Sequence, residues 1–84
     1  MKRHDVRISK RASKEVEALD PQVSKKILRK IWELAENPRP PGCKKLVGYE
    51  YMWRIRVGDY RVLYTIDDAG AIVAMVVHRG GAYR

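Results

Sequence analysis

Residues 49–66 limit the possible folds of this chain more than any other stretch. They form two runs rich in β-branched and aromatic residues, which is typical of β-strands, joined by the dipeptide Gly58-Asp59. Glycine at the first central position favours a two-residue type II′ turn, because glycine adopts a positive φ there without strain. The pattern therefore predicts a β-hairpin in which Val57 pairs with Tyr60.

This register sorts the hairpin side chains into two faces, because successive side chains of a strand point to opposite sides of the sheet. It sets Arg56 opposite Arg61 and Arg54 opposite Leu63, so three arginines share one face, termed here the arginine face. The other, apolar face is predicted to carry Tyr51, Trp53, Ile55, Val57, Tyr60, Val62, Tyr64 and Ile66. Opposed like charges destabilise a sheet. The arginine face is therefore either a solvated surface or a site for phosphate groups.

The chain before the hairpin predicts a strand and two helices. Residues 3–8 partly alternate in polarity, as an edge or first strand would, and Ser9 is a suitable N-cap for a first helix. Asp20-Pro21 starts a second helix, since the acid caps its N-terminus and proline fits its first turn. That helix is expected to run to about Asn37, where three prolines within residues 38–41 end it.

After the hairpin, the nearly apolar residues 71–77 predict a buried strand that pairs with the second hairpin strand. An odd number of loop residues across Asp68–Gly70 would put Arg79 on the arginine face, and an even number His78. The sequence leaves this open. We predict an α+β fold: an N-terminal strand, a two-helix antiparallel hairpin, then a three-stranded antiparallel sheet, with residues 1–84 as one domain. The helices are expected to cover the apolar face and to leave the arginine face open.

Composition narrows the setting and the partners. A net charge of +8 over 84 residues points to a nucleic acid, an acidic membrane surface or an acidic protein as partner. A lone cysteine, Cys43, favours a reducing compartment, and no apolar run approaches the length of a membrane span, about 18 residues or more. We predict a cytoplasmic protein. His4 and His78 are the only histidines, so metal-ligand spacing is absent and no cofactor is expected.

The arginine face has part of the chemistry that RNA cleavage without metal requires. Such a site must take the 2′-hydroxyl proton, stabilise charge on the phosphate and protonate the leaving oxygen. Arginine serves the second need well and the first poorly, because its pKa lies far above neutrality. Tyr83 could stack on a base or simply pack on the sheet edge. His78 titrates near neutrality as a residue type, yet equally suits a solvated strand end.

Three segments resemble one known family. They are Leu46-Val47-Gly48-Tyr49, the run from Trp53 to Tyr64, and the ending His78-Arg79-Gly80-Gly81-Ala82-Tyr83-Arg84. Together they resemble the RelE branch of the RelE/ParE superfamily, the toxins of bacterial and archaeal type II toxin–antitoxin pairs. The resemblance implies a metal-independent endoribonuclease that cuts mRNA on the ribosome through the 2′-hydroxyl. It also implies a RelB-like antitoxin as the partner.

The resemblance also implies roles for individual residues. Arg61 matches the family's strand arginine at the scissile phosphate, and Arg79 matches a second arginine that steadies the phosphate or protonates the leaving group. Tyr83 matches a tyrosine that stacks on or orients the RNA.

One departure from the family concerns the general base. Arg54 and Arg56 stand where the best-known members have lysines, one of them the proposed base. Lys44, Lys45 and His78 are the substitutes that this sequence offers for RNA contact or proton transfer.

Two other functions remain open at this point. A ParE-like toxin on the same fold would inhibit DNA gyrase, and a decayed toxin would bind RNA without cutting it. The set that favours the nuclease is Arg54, Arg56, Arg61, Arg79 and Tyr83.

Overall fold

A computed structural model of the protein describes residues 5–46, 48 and 51–78. In chain order the elements are β1 (Asp5–Ile8), α1 (Lys10–Glu17), α2 (Pro21–Glu33), β2 (Lys44–Lys45), β3 (Trp53–Val57), β4 (Tyr60–Ile66) and β5 (Gly70–His78). The strands form one sheet in the order β1-β5-β4-β3-β2, in which β1 runs parallel to β5 and the other neighbours are antiparallel.

The predicted α+β class is confirmed, with a larger sheet than expected. The N-terminal strand is an edge strand of the same sheet as the hairpin, because α1 and α2 carry the chain from one edge of that sheet to the other. Lys44–Lys45 adds a two-residue strand at the opposite edge. The three-stranded sheet of the prediction is therefore the centre of a five-stranded one.

Both predicted helix caps are present. The Ser9 hydroxyl accepts a hydrogen bond from the Ala12 N–H at 3.0 Å, and the Asp20 carboxylate accepts one from the Gln22 N–H at 2.9 Å. Helix α2 ends at Glu33, earlier than the predicted Asn37. Residues 34–36 instead form a tighter turn with i→i−3 backbone bonds, which satisfies the last carbonyls before the prolines.

The core lies between the two helices and the apolar face of the hairpin. Its fully buried members include Ile27 and Ile31 of α2, and Val62 and Tyr64 of β4. The Tyr64 hydroxyl donates to the Pro38 carbonyl at 2.7 Å, which anchors the loop after α2. Burial raises the pKa of this phenol well above its usual range, so the hydroxyl stays protonated and donates.

The hairpin has the predicted register, with Val57 opposite Tyr60, and Gly58 has a positive φ of 59°. One predicted member of the apolar face is wrong. Tyr51 lies in a turn before β3 with φ at 67°, and 70% of its surface is exposed. The strand alternation that assigned it to the core begins only at Trp53.

The register of β5 is decided by a bulge rather than by the preceding loop. Ile66 pairs with Ala71, so residues 67–70 connect this pair, and their number is even. An even loop would put His78 on the arginine face, but a bulge opposite Leu63 and Tyr64 inverts the alternation. His78 therefore pairs with Tyr60 and lies on the opposite face. Arg79, the other alternative, lies outside the described residues.

Candidate functional site

The arginine face gathers four cations from three adjacent strands. Arg56 lies directly opposite Arg61, as predicted, and Lys44 of β2 lies directly opposite Arg54. Directly paired residues share a face of the sheet, and neighbouring strands lie about 4.8 Å apart. Lys44 thus joins the arginine face, which the sequence alone did not show.

The Arg56–Arg61 pair sits at the end of the hairpin beside a small depression. Because Val57 and Tyr60 close a two-residue turn, the next pair is the non-hydrogen-bonded kind, with Cα atoms about 4.5 Å apart. A depression of about 70 Å³ is lined by Arg56, Gly58, Tyr60 and Arg61. Arg56 is exposed and Arg61 is half-buried. Both arginines therefore line one depression, which a small anion can reach.

Three of the four cations of this face have no carboxylate partner within the described part of the chain. Lys44, Arg54 and Arg56 form no ion pair with any of residues 5–46, 48 and 51–78. Three ion pairs of that part of the chain lie away from these cations: Arg7–Asp67, Arg11–Glu15 and Lys30–Glu33. At Lys44, Arg54 and Arg56 a phosphate group would find cations that no described carboxylate already occupies.

The arginine face is not wholly open, contrary to the prediction. Leu63 lies on it, between Arg54 of β3 and Met75 of β5, and is only 1% exposed. Leu63 does not belong to the core cluster beneath the helices. Arg54 and Arg61 are both half-buried as well. The strand alternation placed Leu63 on this face, but nothing in the sequence signalled its burial.

A second cleft, of about 280 Å³, lies on the outer side of β3, between α2 and the loop before β2. Its lining comprises Lys30, Glu33, Pro40, Pro41, Gly42, Ile55 and Arg56. The Lys30 Nζ and the Glu33 Oε1 lie 3.6 Å apart across one turn of α2, and this ion pair balances part of the charge that lines the cleft. The smaller depression between Arg56 and Arg61 is the more cationic of the two, so the candidate phosphate site lies there.

The remaining predicted site residues separate into two groups. Lys45 pairs with Trp53 and His78 with Tyr60, so both lie on the face opposite the arginines. The His78 ring makes an edge-on contact with the Tyr60 ring, with centroids 5.2 Å apart. Arg79 and Tyr83 lie outside the described residues. The structure thus brings together Lys44, Arg54, Arg56 and Arg61, and separates Lys45 and His78 from them.

Residues 5–46, 48 and 51–78 contain no group of three or more histidine, cysteine, aspartate or glutamate side chains placed to hold a metal ion. None of their helices has the length and apolar character needed to cross a membrane.

Comparison with known proteins places the chain among toxins. Residues 6–83 match the family described as ParE toxin of type II toxin-antitoxin system, parDE. A Methanocaldococcus jannaschii protein named "Putative toxin RelE1" is 35% identical, over 95% of this chain and 94% of that protein.

Solved structures give the same result. The RelE–RelB complex of Pyrococcus horikoshii OT3 contains a chain that matches with a TM-score of 0.80 and 28% identity, over 98% of this chain and 100% of that one. A chain of the Mycobacterium tuberculosis toxin–antitoxin complex RelBE2 matches with a TM-score of 0.78 and 27% identity, over 92% and 99%. The isolated E. coli RelE toxin matches with a TM-score of 0.75 and 27% identity, over 96% of this chain and 86% of that one.

The helical hairpin, the five-stranded sheet and these matches define a toxin of the type II toxin–antitoxin class. Within that class, the chain belongs to the RelE/ParE superfamily, and the resemblance found in its sequence is confirmed.

Proposed function

We propose that this toxin is a ribosome-dependent endoribonuclease that cuts mRNA through the 2′-hydroxyl without a metal ion. The observation that carries the proposal is the directly opposed Arg56–Arg61 pair beside its small depression. Lys44 and Arg54 extend the same cationic surface. The likeness to RelE proteins supports this assignment.

In this proposal the arginines stabilise charge rather than move protons. Negative charge grows on the phosphate oxygens as the 2′-oxygen attacks, and planar guanidinium groups can hold two such oxygens at once. Arg61, half-buried and fixed in the central strand β4, would contact the scissile phosphate, with Arg56 beside it. Guanidinium has hydrogen-bond donors and no acceptor, so in this proposal neither residue is the general base.

Proton transfer must therefore come from other groups. Lys44 is the only described member of this cationic cluster that is not an arginine. The roles that the resemblance implies for Arg79 and Tyr83 stay predictions, and His78 lies on the wrong face for direct contact with a phosphate held by Arg61. A site weak in acid–base groups gains most from a ribosome that aligns the 2′-oxygen for attack.

We further propose a RelB-like antitoxin as the partner of this chain. The Pyrococcus horikoshii and Mycobacterium tuberculosis structures that it matches are toxin–antitoxin complexes. An acidic segment that folds on binding would complement a chain of net charge +8.

The test is primer extension on a defined message with purified ribosomes. Wild type is compared with Arg61→Ala and Arg56→Ala, and a sample without ribosomes measures cutting of free RNA. Arg11→Ala is the matched control, because it removes the same charge from an exposed position of α1, a helix outside the sheet. We expect ribosome-dependent cuts that fall at least 100-fold in Arg61→Ala and persist in Arg11→Ala. Cuts unchanged in Arg61→Ala would refute the assigned site.

Inhibition of DNA gyrase is the second candidate function, and one observation favours it. The family that matches residues 6–83 is described as ParE toxin. A gyrase supercoiling assay with the same purified protein separates the two. Inhibition of supercoiling together with intact message on ribosomes would overturn the nuclease and establish the gyrase inhibitor.

A further inference from the structure

The second half of β5 is held in its bulged register by side chains outside the sheet. Tyr64 pairs with Val73 and Leu63 with Met75, which leaves Ala74 as an extra residue in β5. A bulge of this kind exchanges the two faces for every residue that follows it. The side chains of β5 that share a face with Arg61 are therefore decided at Ala74.

Helix α1 and its cap contact the bulge directly. The Ser9 hydroxyl donates to the Ala74 carbonyl at 2.7 Å, and the Ser9 N–H donates to the Val73 carbonyl at 2.9 Å. The Glu15 carboxylate accepts a hydrogen bond from the Val76 N–H at 2.8 Å. Strand β1 ends opposite Val73, so these side chains satisfy backbone groups that β1 no longer covers.

The Glu15 bond fits only the bulged register. Tyr60 closes the two-residue turn with Val57, so its backbone N–H and C=O point towards β3. Because these groups point to alternate sides along a strand, the N–H and C=O of Arg61 point towards β5. In a regular ladder Val76 would lie opposite Arg61, and its N–H would point at β4. In the observed register Val76 lies opposite Val62, and its N–H points away from β4, where Glu15 accepts it.

We propose that Glu15 is a positioning residue of the toxin's site. By accepting the Val76 N–H it selects the register in which Val77, rather than Val76, lies opposite Arg61. It thereby fixes the position of the last residues of β5, up to His78, relative to Arg61. The effect on cleavage rests on the function proposed above, whereas the effect on register does not.

The register is tested by NMR on isotope-labelled protein. Glu15→Leu removes the acceptor, Glu15→Gln keeps a side-chain oxygen for it, and Arg11→Ala removes only the ion pair that Glu15 makes at 3.2 Å. We expect the Val76 amide to exchange at least tenfold faster in Glu15→Leu, and backbone contacts between Arg61 and Val77 to weaken. Both should be unchanged in the other two variants. An unaltered Val76 amide and an unaltered Arg61–Val77 contact in Glu15→Leu would overturn the proposal.

A measurement on the wild type covers the case in which Glu15→Leu does not fold. A scalar coupling across the hydrogen bond, between the Val76 nitrogen and the Glu15 carboxyl carbon, reports the bond directly. Detection of the coupling supports the proposal, and its absence in well-resolved spectra overturns it.

Cleavage tests the consequence for the site. At saturating ribosomes, Glu15→Leu should lower the single-turnover rate at least tenfold, since a misplacement of about 1 Å can cost up to about 100-fold. The half-saturating ribosome concentration should change less than threefold, and Glu15→Gln should retain at least a third of the wild-type rate. Equal losses in the Leu and Gln variants would overturn the positioning role. If the wild type does not cut at all, the nuclease proposal fails, and the NMR result still decides whether Glu15 sets the register.

Discussion

Replacing Arg56 by glutamate should make the protein more stable and less active at once. Arg56 faces Arg61 across the hairpin. Two unit charges about 5 Å apart in water repel by about 0.8 kcal/mol, which agrees with the 0.2–1 kcal/mol typical of cross-strand pairs. Arg56→Glu turns this repulsion into attraction, so the free energy of unfolding should rise by about 1 kcal/mol. In a domain of this size that raises Tm by roughly 4–8 °C.

Arg56→Gln separates the charge effect from strand propensity. Glutamine and glutamate have similar shape, so the difference between the two variants reports the attraction between the introduced carboxylate and the cations of the arginine face, with Arg61 directly opposite. The assay is urea unfolding followed by circular dichroism, at low salt and at 1 M NaCl, where the Debye length falls to about 3 Å and the gain should shrink. Ribosome-dependent cleavage should fall at least 100-fold in Arg56→Glu. A glutamate variant less stable than the glutamine variant at low salt would refute the argument that the arginine pair costs stability.

Three further changes test parts of the fold. Tyr64→Phe leaves the buried Pro38 carbonyl without its donor and should cost about 1–3 kcal/mol in urea unfolding; a loss below about 0.5 kcal/mol, on the order of a surface substitution, would contradict this. Gly58→Ala forces a side chain onto φ of 59° and should lower the free energy of unfolding by about 1–2 kcal/mol, unlike Gly→Ala changes where φ is negative. Arg7 lowers the pKa of Asp67, so this carboxylate contributes stability above its unfolded pKa of about 3.9, and the contribution is lost as pH falls through the lower folded pKa. Asp67→Asn should flatten the stability profile in that acidic window, and an unchanged profile in chemical denaturation would contradict it.

The hairpin was predictable because its determinants are local. Gly58-Asp59 sets the turn, the turn sets the Val57–Tyr60 pair, and strand alternation then places Arg56 opposite Arg61. The two helix caps were predictable for the same reason, since Ser9 and Asp20 bond to N–H groups two or three residues away.

The rest of the site depends on contacts between distant parts of the chain. The bulge at Ala74 is bonded by Ser9, and the register after it is bonded by Glu15, 61 positions before Val76; no periodicity within β5 reveals either contact. Lys44 joins the arginine face only because Lys44 and Lys45 form a short strand along the edge of β3 that faces away from β4. Leu63 had the predicted alternation, but its burial requires tertiary packing on a face that the sequence predicted to be open.

The most direct test of the central claim is single-turnover cleavage of a message programmed on purified ribosomes. One message carries a normal ribonucleotide at the cut position, and a second carries a 2′-deoxynucleotide there, which lacks the attacking oxygen. Wild type should cut the first message only, leaving a 2′,3′-cyclic phosphate, and Arg61→Ala should cut it at least 100-fold more slowly. Cutting of the deoxy message, or full activity in Arg61→Ala, would contradict cleavage by a 2′-hydroxyl aligned on the arginine face.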